Sequence, residues 1–151
     1  MKLLLIAFLL LLLRLTLQDK PSIHSLLCNK WQSIGSVTNG GKFNSTPIKK
    51  MAGTITINCD GSYTKEVTIY GDYIYKGNWL LSSDSKTILF SEKDFEIKQM
   101  PRQSRKRDTV IVTSKIILKL NSDTLILGED QIRPSLNDTL HHAIYYVKIK
   151  E

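Results

Sequence analysis

Histidine and cysteine are scarce in this chain, with three and two among 151 residues, and proline numbers only four. Metal and nucleophile chemistry therefore has few side chains to draw on. His141 and His142 are adjacent, and adjacent side chains of a strand point to opposite faces, so the two imidazoles do not naturally meet one ion. His24 is the third histidine, and no Cys-His spacing of the zinc type occurs. No metal and no cofactor is expected. No Ser-His-Asp or Cys-His set can be assembled. Asp60, Asp72, Asp84, Asp123 and Asp130 all fall in turn-like stretches, where Asp side chains hydrogen-bond nearby backbone. The expectation is a protein that is not an enzyme.

Acid is also in short supply, with 14 Asp and Glu against 21 Lys and Arg, a formal charge of +7 at pH 7. Part of the excess is local, because Lys98, Arg102, Arg105, Lys106 and Arg107 crowd into KQMPRQSRKRD. Such a cluster suits phosphate or sulfate groups. The plainer reading, which we prefer, is a solvated loop broken by Pro101. No aromatic residue interleaves the bases, as a single-strand nucleic-acid platform requires, so no nucleic-acid partner is expected.

Long apolar runs are lacking except at the N-terminus. Met1-Lys2 precedes the run from Leu3 to Leu13, and Arg14 follows it. A positive residue ahead of a short apolar run is the pattern of a signal peptide. The run is too short for a bilayer, which asks for roughly 20 apolar residues. Residues 1–18 are read as a signal peptide, although no A-x-A-like pair marks the cleavage site, and an uncleaved anchor is the alternative. The chain is then exported, to a periplasm, cell surface or medium, with no integral membrane domain beyond the leader. Removing residues 1–18 takes away Lys2 and Arg14 and leaves a net charge of +5.

The two cysteines, Cys28 and Cys59, have two readings. In an oxidising compartment they pair, closing a long loop; otherwise they are two small buried hydrophobes. Lipidation of Cys28 is disfavoured because Leu27 precedes it and the polar stretch 18–24 separates it from the apolar run.

What remains is β-rich. Six Tyr, four Phe and two Trp, among many Thr, Ile and Val, favour strands. No stretch after residue 29 carries a useful helical period. Residues 19–29 form a lead-in, with Ile23, Leu26 and Leu27 at the spacing of one helical turn. The first strand, 30–37, carries Trp31, and 38–50 reads as a long loop. Thr54–Cys59 then places Ile55, Ile57 and Cys59 on one face. Asp60-Gly61 is a hairpin signal, followed by a strand with Tyr63, Val67 and Ile69 on one side and Lys65 interrupting. After Gly71-Asp72, residues Tyr73, Tyr75, Gly77 and Trp79 share a face. Ile88 and Phe90 mark a fifth strand, Phe95 and Ile97 a short sixth. Residues 109–120 form the longest, with Val110, Val112, Ile116, Leu118 and Leu120 on one face. Leu125 and Leu127 mark the eighth, 128–140 a loop, and the last aligns Ala143, Tyr145, Val147 and Ile149 on one face.

Eight or nine short strands joined by sequential turns predict an all-β fold. The expected form is an antiparallel up-and-down meander closing into a barrel over residues 30–150. A barrel of that size holds one small ligand. Trp31, Tyr63, Tyr73, Tyr75, Trp79 and Tyr145 are the candidate lining of its interior, suited to an apolar molecule with a polar end. The missing side chain of Gly77 leaves room among them. The same rings serve equally as plain core, in which case the barrel is filled and works as a protein- or polysaccharide-interaction module through Arg102, Arg105, Lys106 and Arg107.

A run of short motifs carries a resemblance. The order is a leader, then Leu27-Cys28-Asn29-Lys30-Trp31, then an I-x-x-x-x-DG-x-Y strand and turn from Ile55 to Tyr63. Gly77-x-Trp79, the exit Ser85-Lys86-Thr87-Ile88 and I-x-x-L-x-x-DTL-x-L from Ile117 to Leu127 complete it. The chain resembles the lipocalin-like domain family of small exported bacterial proteins of the Bacteroidetes type, over nearly all of residues 26–150. It departs where many relatives carry a lipobox cysteine after the leader, and where a Gly often stands in place of Asn29. The resemblance implies a lipocalin-like β-barrel with an apolar cavity, and brings no catalytic residues.

Overall fold

The structure is a computed structural model that describes residues 21–45, 53–68, 73–97, 103–133 and 138–150. The leader and Arg102 lie outside the described residues. Among the described residues one short helix, α1 (Ile23–Leu27), precedes nine strands: β1 (Lys30–Thr38), β2 (Asn44–Ser45), β3 (Thr54–Ile57), β4 (Ser62–Val67), β5 (Tyr73–Leu81), β6 (Thr87–Ile97), β7 (Gln103–Leu120), β8 (Thr124–Arg133) and β9 (Asp138–Lys148). All pairings are antiparallel, each strand from β3 to β9 pairs with the next, and β9 returns to β1. This closes an eight-stranded up-and-down barrel, and β2 is an extra strand on the edge of β1. The fold expected from the turn spacing is the fold observed.

Closure follows from tight turns at one end, the base. Asn58–Gly61 is a one-turn link in which the Gly61 N–H donates to the Asn58 carbonyl at 3.2 Å, with Gly61 at φ 85. A side chain resists that left-handed value, which Gly accepts. Asp60 Oδ1 accepts from the Ser62 N–H and hydroxyl at 2.8 and 2.7 Å, and these bonds hold its carboxyl below the usual carboxylate value. The 82–86 turn repeats the device, with Asp84 accepting from Ser82 and from the Lys86 N–H.

The helix α1 folds under the base. Ser22 caps it by accepting from the Ser25 N–H at 3.1 Å, and it drives Leu27 into full burial beneath Trp31. Both indole N–H groups find partners, Trp31 on the Leu27 carbonyl at 3.0 Å and Trp79 on the Asn58 carbonyl at 2.8 Å. Around them Ile57, Ile88 and Leu125 are fully buried, with Ile55, Tyr63, Phe90, Leu127 and Tyr146 a layer above. A disulfide joins Cys28 to Cys59, Cα atoms 5.2 Å apart, tying α1 to the 58–61 turn.

Several boundaries differ from the sequence reading. β3 stops at Ile57, and Cys59 sits in the turn rather than on the strand. The two short strands expected around Phe90 and Phe95 are one, β6. The stretch read as a basic loop is strand from Gln103 onward, with Lys106 in register opposite Asp94 and Arg105 opposite Phe95. It carries no period-two apolar pattern, so nothing in the sequence announces it. The loop expected over 128–140 is mostly strand, because β8 runs to Arg133 and β9 begins at Asp138. Gly128 itself is a mid-strand residue covered by the Leu118 side chain.

Candidate functional site

The barrel interior changes character from base to mouth. Pairing partners share a face, so Lys65 opposite Ile55 and Lys115 opposite Ile88 both point inward. Glu129, two residues beyond buried Leu127, also points inward and forms an ion pair with Lys115. Glu92 lines the same space, as do Thr113 and Tyr146. Two lysines and two glutamates thus occupy the upper interior, above a base whose buried side chains are apolar and aromatic.

Among the described residues an opening lies beside them. β1 pairs with β3 only as far as Gln32 and Thr54, and the Ser33 N–H donates to the Gly53 carbonyl at the last rung, 2.9 Å. Beyond that point β1 carries β2 instead. A recess of about 220 Å3 lies at this parting, lined by Ser33, Gly53, Thr54, Ile55, Lys65, Val67, Ile144 and Tyr146. It shares Ile55, Lys65, Ile144 and Tyr146 with a cavity of about 40 Å3 deeper in, reached by Tyr63, Phe90, Glu92, Thr113, Lys115 and Leu127.

Lys65 sits where the two meet. Its ammonium lies 5.7 Å from the centre of the Tyr75 ring, a cation–π distance. Loss of hydration pushes its pKa below the ordinary lysine value, and Lys115 adds to this, while Glu92 and Glu129 act in the opposite sense. Burial pushes the Tyr146 phenol up to about 12, with the Glu129 charge a second cause. At neutral pH Tyr146 is therefore a neutral hydroxyl on the recess wall.

The residues singled out from sequence fall into three places. Trp31, Trp79 and Tyr63 are core: Tyr63 packs edge-on against Phe90 at 4.8 Å, and Trp79 lies 5.1 Å from the His24 ring. Tyr73 and Tyr75 are half-buried and stacked at 6.4 Å near the mouth. Tyr145 points outward, against Phe43 at 5.2 Å, because Tyr146 is the residue in register with buried Leu125. The inward face of β9 is thus the other parity from the one read. Val110, Val112, Ile116 and Leu118 also face outward and are exposed, while Leu120 turns inward after a register shift at 117–119. Nor does Gly77 leave room: a Cβ there meets the Ser91 backbone and the Tyr63 ring, so the strand needs Gly for close approach.

His141 and His142 do separate, His141 Nδ1 lying 2.8 Å from Asp130 Oδ1 on the outer surface and His142 in register with Glu129. Arg105, Lys106 and Arg107 lie on β7. The sequence reading passed over Lys65, Glu92, Lys115, Glu129 and Tyr146. The available signal was a charge at an inward parity, since Lys65 stands between Tyr63 and Val67.

No family model matches the chain, and no curated protein matches it. The geometry alone therefore carries the functional reading.

Proposed function

We propose that this chain is an exported, non-enzymatic lipocalin-like barrel that takes up a small amphipathic anion through the parting between β1 and β3. The observation that supports this is Lys65, a desolvated ammonium in a recess whose other walls include Ile55, Val67 and Ile144. A carboxylate head placed there pairs with the Lys65 ammonium, and a short apolar tail covers the aliphatic walls. Thr54, Ser33 and the Tyr146 hydroxyl supply hydrogen bonds to the head. The recess and cavity together suit a short molecule, at or below the lower end of the roughly 300–1,000 Å3 usual for ligand sites. The leader in residues 1–18 directs export, and no described helix is long and apolar enough to cross a membrane.

The surface reading through Arg102, Arg105, Lys106 and Arg107 has less support. Asp94 stands in register opposite Lys106, and Glu92 and Glu96 flank it on the same strand, so acid accompanies the base.

Native mass spectrometry of the protein purified from its own host tests the proposal. A co-purifying small acid, released on denaturation, is the expected result. Protein that stays empty both from its host and with excess medium-chain carboxylate added overturns it.

A further inference from the structure

At the opposite end of the barrel, one turn of α1 brings His24 over Cys28. His24 Nδ1 lies 3.7 Å from Cys28 Sγ, and with Cys59 Sγ the three donor atoms all lie within 4.8 Å of one another. A tetrahedral metal with M–S near 2.3 Å and M–N near 2.0 Å separates its ligand atoms by about 3.5–3.8 Å. His24 and Cys28 already stand at that spacing, and the two sulfurs, bonded to each other here, can take it up only once the disulfide opens. His24 is exposed and Cys59 is exposed, so an ion reaches them without entering the core. The His24 ring is also braced, lying tilted 31° on Trp79 at 5.1 Å.

We infer that His24, Cys28 and Cys59 form a redox-gated site for a thiophilic d10 cation, zinc being the probe. In the disulfide form both sulfurs are bonded to each other and the site is closed. Thiol–disulfide exchange with a dithiol opens it. The dithiol is oxidised to its own disulfide, and its two electrons and two protons convert the Cys28–Cys59 bond into two thiols. The metal then displaces those two protons, taking two thiolates and the neutral imidazole lone pair, and solvent fills the fourth position. Two thiolates balance the charge of a divalent ion. The metal then ties α1 to the 58–61 turn in place of the disulfide.

The test is zinc titration of the protein in its oxidised form and after anaerobic reduction with a phosphine, in competition with a chromophoric chelator. One equivalent is expected for the reduced protein and none for the oxidised. Cobalt in place of zinc is expected to show thiolate-to-metal charge-transfer absorption. His24→Ala keeps both cysteines, and is expected to lower zinc affinity roughly tenfold or more. Far-UV circular dichroism and tryptophan fluorescence read whether the reduced protein keeps its fold. Zinc bound equally well by His24→Ala, no stoichiometric binding by the reduced protein, or loss of the fold on reduction each overturns the inference. Cys28→Ser, which cannot form the disulfide, is expected to lose tight zinc binding as well, and tight binding by it contradicts the site.

Discussion

The two ends of this barrel solve opposite problems with the same strands. At the base, Leu27, Trp31, Ile88 and Leu125 have no exposed surface, both indoles are hydrogen-bonded, and a disulfide pins the helix beneath. At the mouth, the inward positions pass to Lys65, Glu92, Lys115 and Glu129, and among the described residues β1 and β3 part after Gln32 and Thr54. A core excludes charge because desolvation is costly; here that cost is accepted at one end only. The difference teaches that stability is concentrated in the base, which leaves the mouth free to hold charges suited to a guest.

Substitution at the base and at the mouth should then act differently. Trp31→Ala empties the centre of the base and is expected to cost about 3–5 kcal/mol. Lys65→Met at the mouth should change stability by no more than about 1 kcal/mol in either direction, because desolvation opposes the ammonium while Glu92 and Glu129 favour it. Urea unfolding of both variants checks the pair, and equal losses would erase the distinction. Next in size is the double change Cys28→Ser and Cys59→Ser. The disulfide spans 31 positions, and its removal should cost about 3–4 kcal/mol in the chain-entropy model.

Tyr146 gives the mouth a pH signature. Its pKa rises from 10.0 to about 12 on folding, so below pH 10 the phenol is neutral in both states and its contribution is whole. Between pH 10 and 12 the unfolded chain loses the proton first, and stability falls by roughly 2–3 kcal/mol. Lys65 acts in the other sense: held below its ordinary 10.5, it sheds its proton first in the folded chain, so stability rises toward that pH. Tyr146→Phe should therefore lose less stability than the parent above pH 10, and a superimposable pH profile would refute the burial of that hydroxyl. A further small effect is in a base turn, where Ser85 holds a left-handed φ of 57. Ser85→Gly should raise stability by about 1 kcal/mol in the same unfolding assay.

Most of the architecture was legible because turn chemistry and period-two alternation are local signals. Asp60-Gly61 and the 82–86 turn are where the residues demand them, and Trp31 and Trp79 anchor the base. The parity of β9 was not legible. Ala143, Tyr145 and Val147 are as apolar as Ile144 and Tyr146, and only pairing with Leu125 and Leu127 decides which row faces inward. β7 hid its inner face for the same reason, its outer row of Val110, Val112, Ile116 and Leu118 being the more apolar one. A rule that apolar means inside fails when both faces are apolar. The mouth was missed because Lys65 read as an interruption of a core face and Lys115 lay on the row of β7 not read as inward, when both belong to the interior of the upper half. The contact of His24 with Cys28 is one helical turn long, and Cys59 reaches it only through the pairing of β1 with β3.

The central claim is that Lys65 recognises an anionic head at the parting of β1 and β3. Calorimetric titration of octanoate into the parent protein and into Lys65→Met tests it most directly, with octanol as the uncharged control. Saturable one-to-one binding by the parent is expected, with roughly tenfold or greater weakening in the variant and no comparable binding of octanol. Absence of saturable octanoate binding, or equal affinity in Lys65→Met, would contradict the account.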